Sequence, residues 1–385
     1  MEFRLNEFQE TIRASAREYA QTYLCPRIDE IEHAEKFPQD LIHVMADMGF
    51  IGLSYPEAYG GLDAGYLCEA IAIEEISKVS PSAGKLLTVC LLPLDAIHLF
   101  GTEAQKMKYL PDGISGKDIG SLAFTEPGTG SDPKQLTTTA KRVGDKYIIN
   151  GTKRFISNAA HEGHIVVVAR DENADTCTAY IVKKFCKGYS ISTPWEKIGF
   201  HGSHVYDVFF DDVEVGEEDI LGGYGKGFDL LIGTTTYGKL AFSAVFAGAM
   251  EGAYELAVKY TQEKLHRGTS IGKFPTNQLR ISEIAANTLS AQLMLYRAAS
   301  DADAITGDIR RVQAITALAK GYIADLATRT IQMALNAHGS YGVTEEYSVE
   351  RFLRDAAIFP NIEGAADVQR LISGNYILRH SDSLL

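Results

Sequence analysis

Cysteine is scarce and poorly placed for cross-linking. The 385-residue chain has five, Cys25, Cys68, Cys90, Cys177 and Cys186, which are odd in number, scattered and never in a CxxC spacing. This excludes a disulfide framework and offers no zinc-ligand pattern, so free thiols in a reducing compartment and no metal are expected. Positive charge is also in deficit: 37 Lys and Arg stand against 50 Asp and Glu, for a formal net charge of -13. That balance argues against a nucleic-acid partner and against a polybasic membrane anchor. No run approaches the roughly eighteen apolar residues needed to span a bilayer. The opening Met1-Glu2-Phe3-Arg4-Leu5 lacks the charged and apolar regions of a signal peptide. A cytoplasmic protein with no membrane association is therefore expected. Internal repeats and low-complexity segments are missing as well.

What is present is an ordinary globular composition, 45% hydrophobic and 23% charged, in a chain longer than one hydrophobic core usually serves. From residue 1 to 118 the pattern is helical. Phe8, Ile12, Ala16 and Tyr19 fall at three- and four-residue spacings, as do Leu41, Val44, Met45 and Met48. From 119 to 226 the period becomes strand-like, in runs such as Tyr147-Ile148-Ile149, Ile165-Val166-Val167-Val168 and Val208-Phe209-Phe210. From 227 to 385 long helices return. Their small residues Ala244, Ala247, Gly248, Ala249, Gly252 and Ala253 would permit close helix contacts. Periodicity thus predicts an α+β protein in the order helical domain, β domain, helical domain.

Two segments of the β domain carry chemistry. Thr125-Glu126-Pro127-Gly128-Thr129-Gly130-Ser131-Asp132 has the composition of a backbone-donor loop. Its glycines tolerate positive φ and its hydroxyls can meet an electron-rich ligand edge. Gly151-Thr152-Lys153-Arg154-Phe155-Ile156-Ser157-Asn158 places an aromatic ring and two polar residues on a neighbouring strand, which suits a flat, polar-edged ring. Over nearly its whole length the chain resembles the acyl-CoA dehydrogenases, whose flavin motifs read much like TEPGTGSD and KRFISNA. The resemblance implies a β-barrel-like middle domain, a C-terminal four-helix bundle, bound FAD and a homotetramer. It places Leu122, Phe124, Thr125, Gly130 and Ser131 at flavin positions, Ser131 also near the CoA thioester arm. Phe155 stands where many relatives have Trp, and Ser157 where they have Thr.

Near the C-terminus Arg354-Asp355-Ala356 is followed by Glu363-Gly364. Glu363 follows apolar Ile362, and a carboxylate desolvated there would be a better base for a weakly acidic carbon. In the family, the glutamate of this RDA…EG pattern removes the α-proton of an acyl thioester while a hydride leaves the β-carbon. Some members carry their base on an earlier helix, at the place of Gly238. The neighbouring family arginine is Lys239 here, which keeps charge but loses the bidentate fork, so a substrate contact there is altered. Asp95, in the apolar run Leu91 to Ile97, is expected either as a helix cap or solvent-facing acid, or as a second base permitting 1,4-elimination from a cyclic enoyl group.

The surface that meets a neighbouring subunit's flavin departs most from the family. Counting along the helix puts Lys264 at the family arginine, whereas counting back from Gln278 puts Arg267 there; Arg267 has the better geometry for pyrophosphate. The difference implies an insertion of nearly one helical turn. Asn336 and Gly339 stand in the second subunit-facing motif, and Ala365 replaces a common Thr, which together suggest FAD held less tightly. Arg311 matches a position contacting the nucleotide end of CoA, and Gly364 lies beside the base. His201 and His338 are read as structural. Phe242 is expected to shorten the acyl cavity, favouring short, branched or cyclic groups, unless its ring enters the bundle core. The implied function is α,β-dehydrogenation of an acyl-CoA, with electrons passed to an electron-transfer flavoprotein. Rivals are an enoyl-CoA reductase or flavin oxidase on the same fold, and a non-catalytic flavin- or CoA-binding scaffold.

Overall fold

The computed structural model describes residues 4–131, 135–172, 174–380 and 384. Six helices come first: α1 (Glu7–Tyr19), α2 (Ile28–His33), α3 (Gln39–Asp47), α4 (Gly65–Val79), α5 (Pro81–Phe100) and α6 (Glu103–Ile114). Asn6 starts α1 through a reciprocal capping box with Gln9, each side chain taking the other's backbone N–H at 2.9 Å. Ile12, Ala16 and Tyr19 are buried, as their spacing predicts, but Phe8 is 52% exposed. The apolar stripe of α1 is one residue shorter than the periodicity implied.

The β domain comprises β1 (Ser121–Ala123), β2 (Thr139–Val143), β3 (Lys146–Ser157), β4 (His164–Asp171), β5 (Cys177–Lys183), β6 (Tyr189–Ile191), β7 (Val205–Gly216) and β8 (Ile220–Leu221). They form one sheet in the order β6-β7-β3-β2-β4-β5-β8, with β1 parallel on β4. The barrel-like expectation is corrected in one respect: among the described residues the end strands β6 and β8 do not pair with each other, so the sheet does not close. Alternate inward side chains, among them Ile149, Val167, Tyr180 and Val208, make a small core of its own.

The chain then enters α7 (Gly227–Glu263), a hairpin of β9 (Leu265–His266) and β10 (Thr269–Ser270), then α8 (Pro275–Ala304), α9 (Ile309–Ala337), α10 (Val349–Ala356) and α11 (Ala366–Arg379). Helices α7, α8, α9 and α11 pack together as the bundle, and α7 also packs on α4 and α5. The small residues of α7 serve that second contact. A Cβ on Gly248 would lie 2.2 Å from Glu74 O, and one on Gly252 would lie 2.3 Å from Lys78 O. Helices α5 and α7 are, after all, long and apolar enough to cross a membrane, yet 83% of the most apolar window of each is buried in the protein. Their apolarity serves the shared core between the two helical regions.

Candidate active site

A buried ion pair joins the two sequence motifs of the β domain. Lys153 Nζ, on β3, donates to Glu126 Oε1 at 2.7 Å and to the Phe124 carbonyl at 3.1 Å. Neither charged side chain has any solvent exposure. Glu126 also accepts from Thr137 N and Oγ1, both at 2.6 Å, and from Thr138 N at 3.0 Å. Despite its burial, the pair and these hydrogen bonds hold its carboxyl down to about 2. Arg154 N donates to the Thr125 carbonyl at 2.7 Å, a second tie between the motifs. Glu126 and Thr129 exchange backbone hydrogen bonds that close the turn over Gly128.

The face so assembled is open. A Cβ added at Gly128 or at Gly130 would meet nothing within 4 Å among the described residues, and Ser131 is exposed. Leu122, Phe124, Thr125 and Ser157 are half-buried beside them; Asp132 lies outside the described residues. Phe155 sits in a β-bulge where β3 slips against β7, with φ 59°, a left-handed conformation unusual for an aromatic residue. The bulge turns its ring outward, 52% exposed, edge-on to Trp195 at 5.4 Å. Trp195 Nε1 and Arg154 both bond to Asp207, at 2.9 Å each, which fixes this aromatic ledge. A strained, outward aromatic beside open backbone glycines fits the ring and polar edge of a flavin.

The second assembly lies among α5, α7, α9 and the loop between α10 and α11. Glu363 and Gly364 are consecutive left-handed residues on that loop, φ 52° and 81°. Glu363 as a residue is half-buried, but its Oε1 is buried and has no hydrogen-bond partner among the described residues. Burial raises its pKa, while Lys239 and Lys320 act the other way. Gly238 makes room for it: a Cβ there would lie 2.6 Å from Glu363 Oε1 and from Leu92 Cδ2. Lys239 is buried and bonds only within α7, to Thr235 O at 3.0 Å and Thr235 Oγ1 at 3.2 Å; burial pushes it down to about 8. Asp95 is neither a cap nor solvent-facing. It lies inside α5, 3% exposed, and accepts from Tyr55 Oη at 2.8 Å. Burial, then Glu69 and more weakly Glu363, push its pKa well above the carboxylate range. Tyr66 and Tyr237 stack at 4.3 Å, and the Asp95 charge reaches both rings.

The remaining sequence candidates stand apart from this centre. The stretch in which nearly one extra helical turn was expected is not helical: α7 stops at Glu263, and the residues after it form the β9–β10 hairpin with Arg267 (φ 49°) and Gly268 (φ 78°) at its tip. Arg267 is exposed there, whereas the Lys264 ammonium lies over the Tyr341 ring at 4.4 Å. Gln278 is exposed on α8; Asn336 is exposed at the end of α9, its carbonyl bonded by Arg280, and Gly339 follows. Arg311 has a buried Nε with no partner among the described residues. His201 bonds Lys197 O and Arg354, and His338 bonds Ala334 O. Phe242 is fully buried and packs near Phe246, which stacks on Phe359, in the core that the two helical regions share. Sequence reasoning missed the Glu126–Lys153 pair, Trp195 and Lys320. A lysine inside the small apolar run Ala317 to Gly321 was the available signal for the last.

Both assemblies lie within segments that resemble known proteins. The acyl-CoA dehydrogenase N-terminal, middle and C-terminal domains match residues 6–117, 121–213 and 225–378. The chain is 33% identical over 379 residues to the caffeyl-CoA reductase-Etf complex subunit CarC of Acetobacterium woodii, covering 97% of this chain and 99% of that one. Its fold is similar to butyryl-CoA dehydrogenase from Megasphaera elsdenii, with TM-score 0.94 and 29% identity over 98% of this chain and 100% of that one. It is also similar to PigA solved as an FAD complex, with TM-score 0.91 and 26% identity over 99% of this chain and 100% of that one. Three domain models that match in order along the chain, and a fold shared from end to end with these proteins, make the chain an FAD-dependent oxidoreductase of the acyl-CoA dehydrogenase family.

Proposed function

We propose that the protein desaturates an acyl-CoA thioester between its α- and β-carbons, with Glu363 removing the α-proton. The observation that carries this reading is the buried, unpartnered Glu363 Oε1 against Gly238. A base kept free of competing donors and partly dehydrated is suited to a carbon acid. Leu122, Phe124, Thr125, Gly130, Ser131, Phe155 and Ser157 would hold FAD, which supplies the hydride acceptor for the β-carbon. Ser131, Lys239, Arg311 and Gly364 would contact the substrate, the unpartnered Arg311 Nε favouring an anionic group of CoA.

A compact acyl group, short, branched or cyclic, is favoured by the bulk of Tyr66, Tyr237 and Tyr55 near the base. With Phe242 in the core, these rings replace it as the support for that preference. An electron-transfer flavoprotein is the proposed acceptor, in keeping with the Etf-complex relative. A cytoplasmic homotetramer is proposed as well. Leu279, Leu289, Leu293, Leu371 and Leu378 leave apolar surface on α8 and α11. In that assembly Arg267, Gln278, Asn336 and Gly339 would meet a neighbour's FAD.

Asp95 favours a second reading on the same fold. A buried acid beside the site suits proton removal further along the substrate, in a 1,4-elimination from a cyclic enoyl-CoA. The reductase-named relative likewise supports flux in the enoyl-reducing direction. Anaerobic mixing with short, branched, cyclic and long acyl-CoA thioesters, followed by flavin absorbance, tests these readings. Bleaching by compact saturated thioesters, slowed about 10²- to 10⁴-fold in Glu363→Gln, is expected. Bleaching by a cyclic enoyl-CoA alone, lost in Asp95→Asn, would move the function to the second reading. Silence towards every thioester would leave only a binding scaffold.

A further inference from the structure

We propose that Lys320 is a positioning residue for Glu363. Its ammonium ties down the Gly364 carbonyl and, from α9, supplies positive charge that lets a buried glutamate act as a carboxylate. The inference rests on Glu363 being the base.

Lys320 is fully buried. Its Nζ has one hydrogen-bond partner among the described residues, the carbonyl of Gly364, and no carboxylate within ion-pair distance. An ammonium in such a place is costly unless an anion faces it. The nearby acids narrow to one. Asp325 is engaged by Arg370, which also bonds Asp367 and, at 3.0 Å, Gly321 O. Glu363 remains, and it is the foremost charge favouring the protonated form of Lys320, which burial pushes down to about 8.

The hydrogen bond has a conformational role as well. Glu363 and Gly364 both have positive φ, and a side chain at Glu363 makes that backbone costly. Gln369 Nε2 packs against Gly364 on the other side, 2.3 Å from where a Cβ would stand. Gly321 lets α9 pass directly beneath, a Cβ there falling 3.2 Å from Ala366 O. Lys320 thus holds the peptide that leaves Gly364, one residue beyond Glu363, and so anchors the left-handed turn that carries the base.

The titratable groups facing Glu363 are Lys239 from α7, Lys320 from α9 and Asp95 from α5, the last favoured in its neutral form; Asp325 and Arg370 stand behind Lys320. A base must be ionised, so the rate falls as pH drops through the Glu363 pKa. Loss of a nearby positive charge raises that pKa and moves the acidic limb upward.

The test is the anaerobic rate of flavin reduction by the best thioester across pH, in the FAD-loaded wild type, Lys320→Met, Lys320→Arg and Glu363→Gln. The limb of Lys320→Met should rise by about one pH unit or more, a tenfold loss on its acidic side, and Lys320→Arg should bring it back towards wild type. Unchanged limbs with only lower plateaus would reduce Lys320 to a packing role and overturn the proposal. Should Lys320→Met fail to retain FAD, Lys320→Gln against Lys320→Arg gives the same comparison, and coincident limbs overturn it. Full activity in Glu363→Gln would instead remove the base assignment itself, a separate failure.

Discussion

Replacing Lys153 by Met should destabilise the β domain by about 3 kcal/mol, even though the ion pair it breaks adds little net stability. Burial pulls the partners in opposite senses: Lys153 is pushed down to about 8, while attraction and hydrogen bonds hold Glu126 at about 2. Such a pair is nearly neutral against an apolar replacement, but removing one partner strands the other and costs roughly 3–5 kcal/mol. Glu126 would keep its bonds from Thr137 and Thr138, which places the loss at the low end. The single tryptophan, Trp195, is part of this domain, so its fluorescence in a urea titration reads the β domain directly. The double variant Lys153→Met with Glu126→Gln should recover most of the loss. A pH series adds a sign. The depressed Glu126 pKa contributes stability present above its unfolded value of 4.5 and lost as pH falls towards about 2. A Lys153→Met loss below about 1 kcal/mol, or a double variant no better than the single, would refute the reasoning.

Gly238→Ala should slow flavin reduction at least about tenfold with little change in stability, because its methyl would crowd Glu363 Oε1 at 2.6 Å; stopped-flow bleaching at wild-type rate would contradict this. FAD titrated into apoprotein should quench Trp195 fluorescence, since the indole packs against Phe155 on the exposed ledge. Phe155→Ala should weaken that titration, and an unquenched Trp195 would place the flavin elsewhere.

The order of helices, strands and helices was legible because periodicity is a local property. Ile12, Ala16 and Tyr19 in α1, and Ile165 to Val168 in β4, carry their own spacing. The two glycine- and hydroxyl-bearing motifs were legible for the same reason. Their joining was not, since Glu126 and Lys153 are 27 residues apart and only the pairing of β3 with the first loop buries them together. Nor could spacing show that Asp95 enters the protein interior, or that Phe242 joins the core shared by the two helical regions, because the apolar runs of α5 and α7 read alike on every face. Local chemistry in the sequence determined which groups were available: a flavin-suited ledge, a free glutamate and several lysines. The tertiary structure alone decided which charges share a dehydrated space, because burial and distance between helices set whether Glu363 meets Lys239, Lys320 and Asp95, and no spacing along the chain encodes that.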